Sequence, residues 1–408
     1  MELLEIFKEL VRIPSPSMDE ASVAQKIIEI LTNAGVEAKL DSYGNVYTKI
    51  DGIKNAKGFL LSAHMDVVGD DTPVNIIEKE GPEGHIIETD KTRTLGADDK
   101  AGVAAIIKAL LDIKEGKINP KCTVEAVFTR DEENSMTGIE HVEFDKLNSE
   151  YVLVLDSDKL GNFEISGAGY IKLTVSVKTP FGGHSGLDIQ DKNRLNAAKI
   201  ITEIVEKIPQ GVYKSYKTGD KTSTITSINL GSIIGGGVEN ALYQAVKQGL
   251  KGVNAVEFVA KNSMSNIINT SAFAHYSIRS SCLETQNELI EKIRIIIEEF
   301  NQKYKGLGEA KLEIEEHLPV FEKSDDDFLI QKAQIAAKNS GVNLKISSFH
   351  AGAETHIYAN RKNKEGISFK PVLAGIADVY NMHSADEKID VESYKKGYEF
   401  LKAFLDEI

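Results

Sequence analysis

Apolar residues recur every three to four positions over residues 2–12 and again over about 20–34, where Gly35 ends the pattern. This spacing predicts two opening helices. Short apolar runs at 46–50 and 59–63, each flanked by polar residues or Gly, predict strands. Residues 101–115 (AGVAAIIKALLDIKE) read as a helix that opens directly after GADDK. The runs VEAVF (124–128) and YVLVL (151–155) follow. The second is almost continuously apolar, as suits a strand covered on both faces of a sheet. Strands alternating with helices argue for an α/β layer.

The pattern changes near Gly167. GYIKLTVSV (169–177) alternates with period two, which predicts a sheet with one solvated face. A helix is predicted at about 192–207, strands near 222–232, 255–261 and 272–279, and a long helix over about 285–304. This order predicts a small α+β unit inserted at 168–311. After about 312 the α/β pattern resumes, with a helix at about 325–340, strands near 343–348 and 370–375, and a last helix at about 391–406. The expected organisation is a discontinuous α/β domain, 1–167 with 312–408, interrupted by the 168–311 unit. There is no internal repeat or low-complexity tract, and 360–366 reads as a surface loop.

Composition adds exclusions. The 408 residues are 41% hydrophobic and 27% charged, an ordinary globular balance and not that of a disordered chain. Sixty-two acidic against 48 basic residues give a net charge of −14, which argues against a nucleic-acid partner. No apolar run approaches the ~20 residues that span a bilayer. The opening segment lacks the basic start of a signal peptide. Cys122 and Cys282, the two cysteines, stand far apart and make no disulfide framework. A soluble, cytoplasmic protein is expected.

Candidate chemistry gathers at strand ends. The 59–63 strand runs into His64-Met65-Asp66, VEAVF runs through Thr129-Arg130 into Asp131-Glu132-Glu133, and YVLVL ends in Asp156. The 101–115 helix follows Gly96-Ala97-Asp98-Asp99. Singly, each has a plain explanation: an Asp before a helix is usually a cap, and a Glu pair is usually solvated surface. Open α/β sheets, however, place ligand sites at the carboxyl ends of their strands. Carboxylates crowded there repel one another unless a cation neutralises them. Mixed imidazole and carboxylate ligands suit Zn2+, with Mn2+ or Co2+ also compatible.

The ordered set His64-x-Asp66, Gly96-Ala97-Asp98-Asp99, Glu132-Glu133, Asp156 and a late His383 resembles the co-catalytic di-zinc exopeptidases. That family includes peptidase T, the aminoacyl-histidine dipeptidases, carboxypeptidase G and the aminoacylases. The resemblance covers essentially the whole chain. It implies a zinc-exopeptidase-like α/β catalytic domain with a mixed sheet flanked by helices, and an inserted α+β lid or dimerisation domain. It also implies two divalent ions per chain, one held by His64, Asp98 and Asp156, the other by Asp98, Glu133 and His383. Asp66 would orient His64 by accepting from its other ring nitrogen. Glu132 would be the general base, and a cis peptide is implied between Asp98 and Asp99.

His184, in Gly-Gly-His-Ser-Gly (182–186), would reach a partner subunit's site and stabilise the oxyanion, which implies a homodimer. Arg279 and Asn266, thirteen positions apart, would together hold the substrate carboxylate or carbonyl. This sequence departs from the family pattern around Asn266, where Ser-Met-Ser precedes it, and Asn240 in Gly-Gly-Gly-Val-Glu-Asn (235–240) competes; residues 239–253 read as an insertion. His350-Ala-Gly-Ala-Glu354 resembles a substrate-pocket loop of the dipeptidases, so His350 and Glu354 are expected to contact substrate. His85, His141, His275 and His317 are expected at the surface or in packing.

The implied activity is metal-dependent hydrolysis of di- or tripeptides. Deacylation of N-acyl amino acids by the same chemistry is the alternative. A metal-free binding protein is disfavoured, because every expected ligand and the base are present. The 350–354 segment leans towards dipeptidases and the chain length towards tripeptidases.

Overall fold

The computed structural model describes residues 1–52, 58–81, 84–218 and 221–408. They form two compact units, residues 1–167 with 321–408, and residues 168–320. The first unit is built on an eight-stranded mixed sheet. Its spatial order is Ala38–Leu40, Val46–Ile50, Val124–Thr129, Gly58–His64, Ser149–Val154, Lys370–Ala374, Asn162–Gly167, Lys345–Phe349. The middle four strands of this order run parallel. Every residue of Gly58–His64 and Val124–Thr129 is buried, which is why these segments read as continuous or nearly continuous apolar runs.

Helix Ala97–Lys114 lies against strand Gly58–His64 and against helices Leu3–Val11, Ala21–Asn33 and Val391–Glu407. Covered on so many sides, it is buried nearly all round instead of showing a single apolar stripe. In helix Val391–Glu407, Gly397 permits close approach: a Cβ there would stand 1.7 Å from the Ile376 carbonyl oxygen.

A second, antiparallel sheet has the order Val379–Tyr380, Lys388–Asp390, Gly84–Thr89, Ile76–Gly81. The sequence pattern does not reveal it, because Ile76–Gly81 is half-exposed to exposed throughout and rich in charge. Its 381–387 connection carries His383.

The second unit is a five-stranded antiparallel sheet in the order Gly211–Thr218, Lys221–Gly235, Ser271–Ser280, Gly169–Lys178, Glu309–Leu318. Helices Ala197–Lys207 and Leu283–Lys303 pack against it. Ser271–Ser280 alternates strictly between buried and half-buried positions, the period-two signature of one covered face.

Two expectations change here. Residues 255–261 are not a strand but part of helix Gly252–Asn262, which forms a hairpin with helix Glu239–Lys247. An apolar run this short does not reveal its own period. The return to the first unit comes at 320–321 and not at 312, because Glu309–Leu318 pairs along Gly169–Lys178 as a glutamate-rich edge strand. No helix among the described residues is long and apolar enough to cross a membrane.

Candidate active site

Because four neighbouring strands run parallel, their carboxyl ends share one edge of the sheet. His64 ends Gly58–His64, Glu132 and Glu133 follow Val124–Thr129, and Asp156 follows Ser149–Val154. Asp98 arrives from the adjacent helix start. Gly96 before it has φ +77°, and any side chain there would meet Val67. Asp98 and Asp99 are non-helical, and the peptide between them is cis.

Asp98 stands at the centre. Its Oδ1 lies 3.2 Å from His64 Nε2, and its Oδ2 lies 3.1 Å from His383 Nε2. His64 Nε2 is also 3.5 Å from Asp156, and His383 Nε2 is 3.0 Å from Glu133. Ligand-type atoms of His64, Asp98 and Glu133 lie within 4.8 Å of one another, as do those of His64, Asp99 and Asp156. Asp99 is nevertheless occupied locally: its oxygens accept from the amides of His64 (3.3 Å) and Gly102 (3.1 Å).

The electrostatics fit a cation site. Burial, and then Asp98, push the Asp156 carboxyl up to about 8. Burial, and then Asp98 against the opposing His64, raise Glu133 to about 7. Burial raises Glu132 strongly, with Asp156, Glu354 and Glu133 adding to it against His64. Asp98 goes the other way: burial would raise it, but hydrogen bonds from His383 and His64 hold it well down. Burial would lower the His64 imidazole, and Asp156 overrules it. The Asp98 hydrogen bond, ahead of opposing burial, lifts His383 to about 9. Two imidazoles thus face four carboxyls, of which Asp156, Glu132 and Glu133 resist ionising, and the buried Oε1 of Glu133 has no hydrogen-bond partner among the described residues. This donor set fits divalent cations.

Residues 60–407 match the sequence profile of Peptidase family M20/M25/M40. The chain belongs to this family. Across 99% of its length this M20 peptidase is 25% identical to the protein YqjE of Bacillus subtilis, covering 98% of that protein. It is 28% identical to Peptidase T of Halothermothrix orenii, over 49% of this chain and 48% of that one. The chain therefore matches about half the length of that relative. Among solved structures, aminopeptidase PepT from Bacillus cereus aligns over 99% of this chain and 97% of that one, with TM-score 0.80 and 23% identity. Aminoacylhistidine dipeptidase from Vibrio alginolyticus aligns over 100% and 96%, with TM-score 0.70 and 19% identity. At these identities the two structures show a shared fold.

Within the M20 site, Asp66 does more than the sequence suggests. His64 Nδ1 lies 3.0 Å from the Asp66 backbone oxygen and 3.4 Å from its carboxylate. The carboxylate itself accepts from the amides of Glu132 (2.9 Å) and Glu133 (3.1 Å) and from the Ser17 hydroxyl (2.7 Å). It therefore anchors the turn bearing both glutamates. Glu354 is 1% exposed, and its Oε2 accepts from Ser62 at 3.1 Å. Burial lifts its carboxyl to about 7. His350 is exposed, so the two residues of the 350–354 segment have opposite surroundings.

In the second unit, Gly183–His184 pairs with Ile267–Ile268, which places Asn266 beside this strand; its carbonyl accepts from the Ser185 amide at 3.0 Å. The Gly186 amide donates to His184 Nδ1 at 3.1 Å. That bond leaves the ring proton on Nε2, a donor with no acceptor among the described residues. Arg279 lies at the far end of Ser271–Ser280, with its guanidinium 4.4 Å from the Tyr170 ring centre. Eight residues of strand, roughly 26 Å at ~3.3 Å each, separate it from the Ser271 end. Sequence reasoning also missed Glu387, 1% exposed, which accepts from the amides of Gly96 (2.7 Å) and Asp98 (3.1 Å). Its only sequence signal is its place four residues after His383.

Proposed function

We propose that the chain is a di-metal exopeptidase acting on short peptides, with tripeptides the first class to test and dipeptides the second. The observation that carries this reading is Asp98, whose two oxygens face His64 on one side and His383 on the other. His64, Asp98 and Asp156 would hold one ion; Asp98, Glu133 and His383 would hold the other. Two divalent ions there would polarise the scissile carbonyl and acidify a water molecule.

The chain's own residues do the rest. Glu132, raised by burial and neighbouring negative charge, takes a proton from the attacking water and later delivers it to the leaving amine nitrogen. Asp66 holds the Glu132 amide, so the base keeps its aim. His184 offers its Nε2 proton to the developing oxyanion of a partner subunit's substrate in a homodimer, which is consistent with the Nε2 donor described above. Arg279 suits a substrate carboxylate, Asn266 and His350 suit polar substrate groups, and Glu354 braces Ser62 on the strand that ends in His64.

The test is a panel of tripeptides, dipeptides and N-acyl amino acids, with Zn2+, Mn2+ or Co2+ added and products identified. Release of the N-terminal residue from tripeptides, or cleavage of dipeptides, is expected. Turnover of N-acyl amino acids alone would instead make the chain a deacylase. Failure to bind two ions per chain would remove the basis of either activity.

A further inference from the structure

We infer that Glu387 is a positioning residue that pre-sets the half of the site formed by Asp98 and His383; the inference rests on the di-metal reading above. Its carboxylate joins two loops that are remote in sequence. Oε2 accepts from the Thr94 hydroxyl and the Gly96 amide (2.7 Å), and Oε1 accepts from the Asp98 amide (3.1 Å). All three donors lie on the segment that delivers Asp98. Glu387 itself ends the 381–387 connection that carries His383. One carboxylate thus fastens the Asp98 loop to the His383 loop, and the side chains of those loops meet at 3.1 Å.

The His383 side needs such a clamp. His383 is 51% exposed, so little packing orients its ring. Asn381 and His383 have φ of 56° and 60°, left-handed values that non-glycine residues keep only when their surroundings over-determine them. Within the connection, Ser384 Oγ donates to the Asn381 carbonyl, and the Asp386 and Glu387 amides bond back to Ser384. These bonds shape the loop but do not aim it at Asp98; Glu387 does. His64 is in the contrasting situation. It ends a wholly buried strand and is 1% exposed, so its position is set by the sheet. Asp98 serves both ions, so removing the clamp should damage the His383 site most and the His64 site, whose other ligands are set by the sheet, much less.

Partners that orient metal ligands typically contribute 10–100-fold in affinity. The experiment titrates metal-free full-length protein with Co2+ against a chromophoric chelator, follows the visible spectrum of each site, and measures the apo melting temperature. Wild type should bind two ions; one ion or none overturns the di-metal reading itself. In Glu387→Gln, the amide oxygen can still accept from Thr94 and Gly96, while the amide nitrogen faces the Asp98 amide and breaks that bond. The expected result is a 10–100-fold loss for one ion, the other within about 3-fold of wild type, and an unchanged apo melting temperature. Thr94→Val removes only the hydroxyl donor and should give a smaller loss at the same ion. Glu387→Ala should give the largest selective loss; should it not fold, Glu387→Gln and Thr94→Val decide. Equal weakening of both ions, or no weakening in folded Glu387→Gln, overturns the inference.

Discussion

Replacing Glu132 by Gln separates the proton-transfer role from the metal-holding role of its neighbour. The backbone amide of Glu132 donates to Asp66 whatever the side chain is, and Gln matches Glu in shape. The turn should therefore survive, and with it the Glu133 side chain 3.0 Å from His383. The substitution also puts a neutral group where Asp156, Glu354 and Glu133 all oppose the ionisation of Glu132. The apo protein should melt no lower than wild type. Turnover is another matter: a positioned general base contributes roughly 10²–10⁴-fold, or about 2.7–5.4 kcal/mol of barrier at 1.36 kcal/mol per decade. Glu133→Ala should do the reverse. It takes one of the two carboxylates from His383 and should weaken one ion, with activity recovering as the metal concentration rises. The assay pairs kcat on a tripeptide with metal content after dialysis. If Glu132→Gln loses an ion while Glu133→Ala keeps both and loses turnover, the two roles are reversed and the assignment fails.

Three further outcomes are expected. His184→Ala should cost roughly 10²–10³-fold in turnover, the range for one oxyanion donor; co-expressed with Glu132→Gln it should recover activity towards half of wild type at most, and no recovery in proven heterodimers would place His184 outside a partner's site. Gly397→Ala puts a methyl group 1.7 Å from the Ile376 carbonyl oxygen and should destabilise the first unit by about 1–3 kcal/mol or more, read as a lower urea midpoint; an unchanged midpoint would mean the helix shifts freely. Asp326, bonded to Lys370 and Tyr151, has its carboxyl held down at about 2, so its contribution is complete above its usual value of 3.8 and fades as pH falls through 2. The stability gap between wild type and Asp326→Asn should therefore close between pH 4 and 2, and a constant gap would refute the assignment.

Much of the site was legible in the sequence because it hangs on local periodicity. Buried parallel strands announce themselves as continuous apolar runs, and the residue following each run must lie on one edge of the sheet. That logic located His64, Glu132, Glu133 and Asp156 without any tertiary information, and Asp98 through the helix that starts beside them. His383 follows no apolar run, and only likeness to a family singled it out. The elements that escaped or were misread share a physical cause. Ile76–Gly81 is an almost wholly exposed edge whose charges mask its alternation. The 255–261 run is too short to show a period, and its helical form is settled by pairing with its neighbour helix.

Contacts across long chain separations were beyond any local pattern. Glu387 reaches the Gly96 amide across 291 positions, and Glu354 reaches Ser62 across 292. Whether a carboxylate is a ligand, a clamp on backbone amides or a buried brace depends on which donors the fold brings to it. The residue types and spacing along this chain determined that an acidic, imidazole-bearing site would form at the carboxyl edge of an α/β sheet. Only the tertiary structure decided that Asp66 anchors the glutamate turn, that Asp99 is spent on amides, and that Glu387 clamps the Asp98 segment, because burial and hydrogen-bond partners are properties of the packed chain.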